Sequence, residues 1–146
     1  MPKTKFAKNT YLLTSHPEGL VVLFFTELWE RFSYYGMRAI MVLYLVSQTD
    51  SSNPGLGWSN AEAIKLYGWY TALVYISCIP GGIIADRFLS NQNAVFLGGL
   101  LLCFGHLSLA FQNMVFFYFG LILIILGVGL LKPSISSLVG LSLIHI

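Results

Sequence analysis

Four stretches of this chain are mainly apolar over about 20 residues each, the length an α-helix needs to cross the hydrocarbon core of a bilayer. They run at about 20–46, 66–85, 94–111 and 115–139. In lipid, backbone polar groups must be satisfied within the segment, so stretches like these fold as helices. The expected fold class is therefore all-α, a polytopic membrane protein with four transmembrane helices. Composition points the same way. Of the 146 residues, 56% are hydrophobic and 10% are charged, whereas a soluble domain carries about 25% charged residues. Mean hydropathy is +0.74. There are too few polar side chains to cover a surface in water, so the lipid bilayer is the expected solvent and partner.

The gaps between the stretches read as loops. Ser47 to Asn60 holds Asp50-Ser51-Ser52-Asn53-Pro54-Gly55, which is turn chemistry. Asp86 to Asn93 is short and polar, and Gln112-Asn113 is a tight connection. Short loops make neighbouring helices antiparallel, so a bundle is expected. The first stretch is too long and too charged for a signal peptide, and it lacks a small-residue cleavage site. Cytoplasmic ends attract Lys and Arg. Lys3, Lys5 and Lys8 precede the first stretch and Arg87 follows the second, with Lys65 alone on the other side. The N-terminus is therefore expected in the cytoplasm and residues 47–60 outside. Apart from the three N-terminal lysines there is no basic patch, so no nucleic-acid partner is expected.

The first stretch is unusual, because it carries Glu27, Glu30, Arg31 and Arg38. A central charge costs about 2.5–3.5 kcal/mol on insertion, so four cost on the order of 10 kcal/mol. The cost falls if the charges face a bundle interior or a water-filled cavity and pair there. Helical spacing gives them one face. With Glu27 at zero, Glu30 lies near about −60°, Arg31 near about +40° and Arg38 near about +20°. Tyr34 falls near about −20° and Tyr35 near about +80°. Phe25, Leu28, Phe32 and Ala39 lie mostly elsewhere and suit lipid or neighbouring helices. Two readings follow. In one, the face is a polar cavity wall where carboxyl groups exchange protons and Arg and Tyr donate to a carboxylate. In the other, it is a buried ion-pair cluster that fixes packing.

Other features are less decisive. Lys132-Pro133 follows Gly127-Val128-Gly129 in the fourth stretch. Lys132 reads equally as a snorkelling lysine or a functional one. Gly120, Gly127 and Gly129 suit close helix approach. Gly81-Gly82-Ile83-Ile84-Ala85-Asp86-Arg87 ends the second stretch. Asp86 and Arg87 there are either ordinary anchors or an ionic latch. The hydroxyl of Tyr75 needs a partner, from a neighbouring helix or a substrate. His106 reads as a satisfied packing histidine. Cys78 and Cys103 have no metal-ligand spacing and read as packing residues. No nucleophilic triad, HExxH motif or phosphate-cradling loop is present, so no enzyme is expected.

The run Glu27-Leu28-Trp29-Glu30-Arg31-Phe32-Ser33-Tyr34-Tyr35-Gly36 resembles the first helix of the proton-dependent oligopeptide transporter family. It matches that family's ExxERFxYYG motif at every fixed position, and His16 to Gly19 precede it in the same way. Gly81 to Arg87 is similar to the family's GGxxADR segment, with Ser90 where a glycine is usual. Gly127 to Pro133 resembles its GxGxxKP. The resemblance runs from about His16 to Gly140.

It implies four helices of a major facilitator N-terminal bundle, in a cell membrane, within a proton-coupled symporter of di- and tripeptides. Alternating access would be rocking of two six-helix halves. Glu27, Glu30, Arg31 and Lys132 would couple protons. Arg31, Tyr35, Arg38, Tyr75 and Lys132 would bind the peptide, and Asp86 and Arg87 would gate. Protons would be the coupling ion, and no cofactor or metal is implied. The expected organisation is a cytoplasmic tail at 1–19, the bundle at 20–140, and an adapter-derived, non-native tail at 141–146. With only four helices, this stretch alone would not transport. A major facilitator for nitrate or a drug and a small four-helix scaffold protein are the alternatives.

Overall fold

The computed structural model describes residues 18–50, 52 and 54–144. Among them are four α-helices: α1 (Glu18–Val46), α2 (Asn60–Phe88), α3 (Asn91–Leu109) and α4 (Met114–Ile144). No strand occurs among the described residues. The tail lysines Lys3, Lys5 and Lys8, the leading His16-Pro17, loop residues Ser51 and Asn53, and His145-Ile146 lie outside the described residues.

The helices overrun the apolar stretches where capping chemistry allows it. α2 begins at Asn60, ahead of the apolar run, because Ser59 and Glu62 form a capping box. The Ser59 side chain accepts from the Glu62 backbone N–H, and the Glu62 carboxylate accepts from the Ser59 N–H at 3.1 Å. Ser90 caps α3 in the same manner, accepting from Asn93 N at 3.4 Å. α3 stops at Leu109, and the Phe111 ring beyond it stacks on Phe116 at 5.1 Å across the turn. The Asn113 side chain accepts from Val115 N at 2.9 Å and opens α4. α4 continues to Ile144, through four of the six residues expected to be non-native. At the end of α1 the chain folds back on itself. Leu56 N and Trp58 N donate to Tyr44 O and Leu45 O at 3.0 and 2.8 Å, which satisfies carbonyls that a helix end leaves open. Gly57 makes this return possible with φ of 65°.

α4 is the hub of the bundle. Half of its most apolar window is buried inside the bundle, against about a fifth for α2 and α3. Leu121, Ile124, Val128, Leu131 and Ile135 form its buried stripe at helical spacing. Glycine brings its neighbours close. A Cβ on Gly81 of α2 would strike the Gly129 carbonyl, and a Cβ on Gly98 of α3 would lie 2.8 Å from Gly127 O. Ser77 Oγ donates to Ile125 O at 2.9 Å beside the first crossing. Pro80 and Pro133 both lie within helices.

α1 packs through a stripe of Glu30, Tyr34, Met37, Met41 and Leu45, all buried. Phe25, Leu28, Trp29, Phe32 and Ile40 cover its outer side and are exposed. A soluble monomer rarely exposes so much contiguous apolar surface, whereas a bilayer accepts it. Three of the helices, α2 to α4, are long and apolar enough to cross a membrane. α1 has 29 residues, about 43 Å of helix, and it differs from them in its charges.

Candidate functional site

The charged face of α1 opens on a cleft of about 290 Å³ shared with α2 and α4. Glu27, Glu30, Arg31, Tyr34 and Tyr35 come from α1, Tyr75 from α2, and Lys132 and Ser136 from α4. Leu131 and Ile135 form its apolar floor. The i, i+3, i+4 spacing of Glu27, Glu30 and Arg31 brings them to one side, and α4 contributes Lys132 to the same cleft.

Charge is distributed unevenly across the cleft. Arg31 Nη2 donates to Glu27 Oε1 at 2.6 Å and its Nε to the same oxygen at 3.1 Å. This is the one ion pair among the described residues, and both of its side chains reach the surface. Glu30 is buried, with 6% of its surface exposed. Its Oε1 has no hydrogen-bond partner among the described residues. Lys132 makes no ion pair among the described residues. Its ammonium instead lies 5.3 Å from the ring centre of Tyr34 and 5.4 Å from that of Tyr75. Aromatic faces attract cations without neutralising them.

Arg38 does not line the cleft. It sits one turn beyond Tyr34 and reaches across to α2. There it donates to the Tyr67 hydroxyl in a short hydrogen bond and to Thr71 Oγ1 at 3.3 Å. Its guanidinium carbon lies 4.6 Å from the Tyr67 ring centre and 5.1 Å from that of Tyr34. Asp86 and Arg87 stand at the far end of α2, about 16 Å along the helix from Tyr75. Both are exposed, and neither forms an ion pair among the described residues.

Sequence reasoning placed Tyr34 on the charged face without a role, and it did not single out Tyr67, Thr71 or Ser136. The signal for Tyr34 was available, since it lies four residues from both Glu30 and Arg38. Tyr67 and Thr71 become visible only when α2 is packed against α1.

His106 stands apart from the cleft and is fully partnered. Its Nδ1 lies 2.7 Å from Leu102 O and its Nε2 3.0 Å from Ser33 Oγ. Because the carbonyl can only accept, Nδ1 carries a proton, and in the neutral ring Nε2 then accepts from the serine. Among the described residues, no group of His, Cys, Asp and Glu is arranged to hold a metal ion.

Fold and cleft together define a multi-pass helical membrane protein with charged groups gathered at the junction of three helices. The sequence model of the POT family matches residues 92–143. An uncharacterised transporter of Bacillus subtilis (strain 168) is 52% identical over 126 residues, covering 86% of this chain and 25% of that protein. A di-/tripeptide transporter of Lactococcus lactis subsp. lactis is 52% identical over 125 residues, covering 85% and 25%. The crystal structure of a POT family transporter in complex with 5-aminolevulinic acid superposes with a TM-score of 0.82 at 43% identity, over 87% of this chain and 26% of that one. The chain thus spans about a quarter of the length of the relatives it matches. It is similar to the POT family over residues 92–143 and to POT family transporters over most of its own length.

Proposed function

We propose that the full-length protein is a proton-coupled symporter of di- and tripeptides that works by alternating access. The observation that carries this reading is one cleft holding both a buried carboxyl, Glu30, and a cation, Lys132, without an ion-pair partner among the described residues. A peptide brings a carboxylate. When that carboxylate engages Lys132 it competes with Glu30 for the same cation, which links peptide binding to proton binding. Glu27 and Arg31 belong to the same coupling cluster, and Arg31 adds a second donor for the carboxylate. Tyr35 and Tyr75 flank the peptide, and Arg38 completes the peptide site from one turn away. Asp86 and Arg87 gate at the helix end.

Support comes also from relatives. One is a di-/tripeptide transporter, and another binds 5-aminolevulinic acid, which carries an amine and a carboxylate as a peptide does. The protein sits in a cell membrane with its N-terminus in the cytoplasm, and protons are its coupling ion, without a cofactor.

The test is uptake. The full-length product, reconstituted in liposomes, should accumulate a dipeptide under an inward proton gradient. An uncoupler and Arg31→Ala should each collapse that uptake. A folded protein that takes up no dipeptide would overturn the substrate assignment.

A further inference from the structure

Among the described residues, Tyr34 is the one buried ring that two cations share. Lys132 Nζ of α4 lies 5.3 Å from its centre and Arg38 Cζ of α1 lies 5.1 Å from it. The ring is 3% exposed, so its side chain has little freedom to move away. Tyr70 of α2 packs beside it at 6.4 Å. Lys132 has no carboxylate within ion-pair distance among the described residues, and neither has Arg38. Arg31, by contrast, is already taken by Glu27.

We infer that the Tyr34 ring is a positioning element that holds Lys132 in the cleft, with Arg38 on the same ring one turn away, while leaving the charge of Lys132 available to an incoming carboxylate. This inference rests on the peptide-binding reading above. The physical reason lies in the kind of attraction. An ion pair would fix a cation but neutralise it, and a ligand would have to break that pair. A quadrupole fixes the cation by its face and adds no counter-charge. A carboxylate entering the cleft then meets a cation already in position, so less ordering is left to bind it. The role belongs to the ring and not to the hydroxyl, which has no hydrogen-bond partner among the described residues. Tyr75 contributes a second face to Lys132 but none to Arg38.

The test uses the full-length protein with Tyr34→Phe, Tyr34→Leu and a near-isosteric trifluorophenylalanine at position 34, whose ring has lost its negative face. Binding of a dipeptide is compared with that of its C-terminal amide, which lacks the carboxylate. Tyr34→Phe should bind within about twofold of the parent, whereas Tyr34→Leu and the fluorinated ring should each weaken dipeptide binding by about tenfold. Binding of the amide should not change among the variants. If Tyr34→Phe loses as much as Tyr34→Leu, the hydroxyl is what matters and the inference fails. If the fluorinated ring binds like phenylalanine, it also fails.

A measurement without substrate separates this from the transport assignment. With lysines dimethylated by ¹³C-formaldehyde and Lys132 assigned through Lys132→Arg, its methyl protons should be shifted upfield by the ring. They should stay so in Tyr34→Phe and move toward the position of exposed dimethyl-lysine in Tyr34→Leu. An unmoved signal in Tyr34→Leu overturns the placement even if peptides bind. If the parent binds no peptide while this signal behaves as described, it is the transport reading that has failed and the positioning of Lys132 by Tyr34 stands.

Discussion

Arg31 and Glu27 form a hydrogen-bonded ion pair at 2.6 Å across one turn of α1, with both side chains reaching the surface. A helical i, i+4 pair in water contributes about 0.3–0.5 kcal/mol, and exposure keeps this one near that range. Glu27→Gln should therefore leave thermal stability within about 0.5 kcal/mol of the parent. Its effect should appear in uptake instead, because Arg31 is released to compete with Lys132 for a carboxylate. Thermal unfolding in detergent beside proton-driven uptake in liposomes checks this. A large stability loss would mean that the pair fixes packing and is not part of a working cavity.

Glu30 differs in kind, since it is buried and one of its oxygens is without a partner among the described residues. Glu30→Gln keeps the shape and removes the exchangeable charge. Proton-driven uptake should fall to background, while counterflow of bound peptide, which needs no net proton movement, should persist. Measuring both in the same liposomes decides the matter. Loss of counterflow alone, or of neither, would remove Glu30 from the coupling role.

Much of this arrangement could be read from the chain. The apolar stretches gave four helices, and the spacing of Glu27, Glu30 and Arg31 gave their common face. The Ser59-x-x-Glu62 capping box was also written in the sequence, yet hydropathy alone starts the second stretch at Leu66. What stayed hidden depends on contacts between helices. Lys132 read equally as a snorkelling residue until α4 packed against α1 and set its ammonium between Tyr34 and Tyr75. Arg38 sits on the charged face by its angle, but the tie to Tyr67 and Thr71 draws it toward α2 and out of the cleft. A helical wheel gives direction, whereas the partner that captures a long side chain comes from a distant part of the chain.

The crossing of α2 and α4 tolerates no side chain at Gly81, because a Cβ there meets the Gly129 backbone carbonyl. Backbone cannot rotate away as a side chain can, so the helices must separate. Overpacking of this kind costs about 1–3 kcal/mol. Gly81→Ala should lower thermal stability by about that amount. Gly82→Ala is the matched control, since its Cβ would lie 3.4 Å from Pro133 Cβ, an ordinary contact. It should change stability by less than about 0.5 kcal/mol. Equal losses in the two variants would show that contact with the Gly129 carbonyl does not set the cost, since alanine is the better helix former at both positions.

Ser33 and His106 join α1 to α3 through one hydrogen bond, and the histidine's other nitrogen is occupied by Leu102 O. Hydrogen bonds between membrane helices contribute about 0.6 kcal/mol on average and about 1.7 at most. Ser33→Ala should therefore destabilise by about 0.5–1.5 kcal/mol, leaving the histidine nitrogen unpartnered. Because the pair stands apart from the cleft, His106→Gln should retain proton-driven uptake, provided that the amide still reaches Ser33. Thermal unfolding of Ser33→Ala and the pH dependence of uptake in His106→Gln are the two measurements. A displaced pH profile in the second would make His106 a participant in proton movement, because a residue that only joins two helices does not alter the titration of transport.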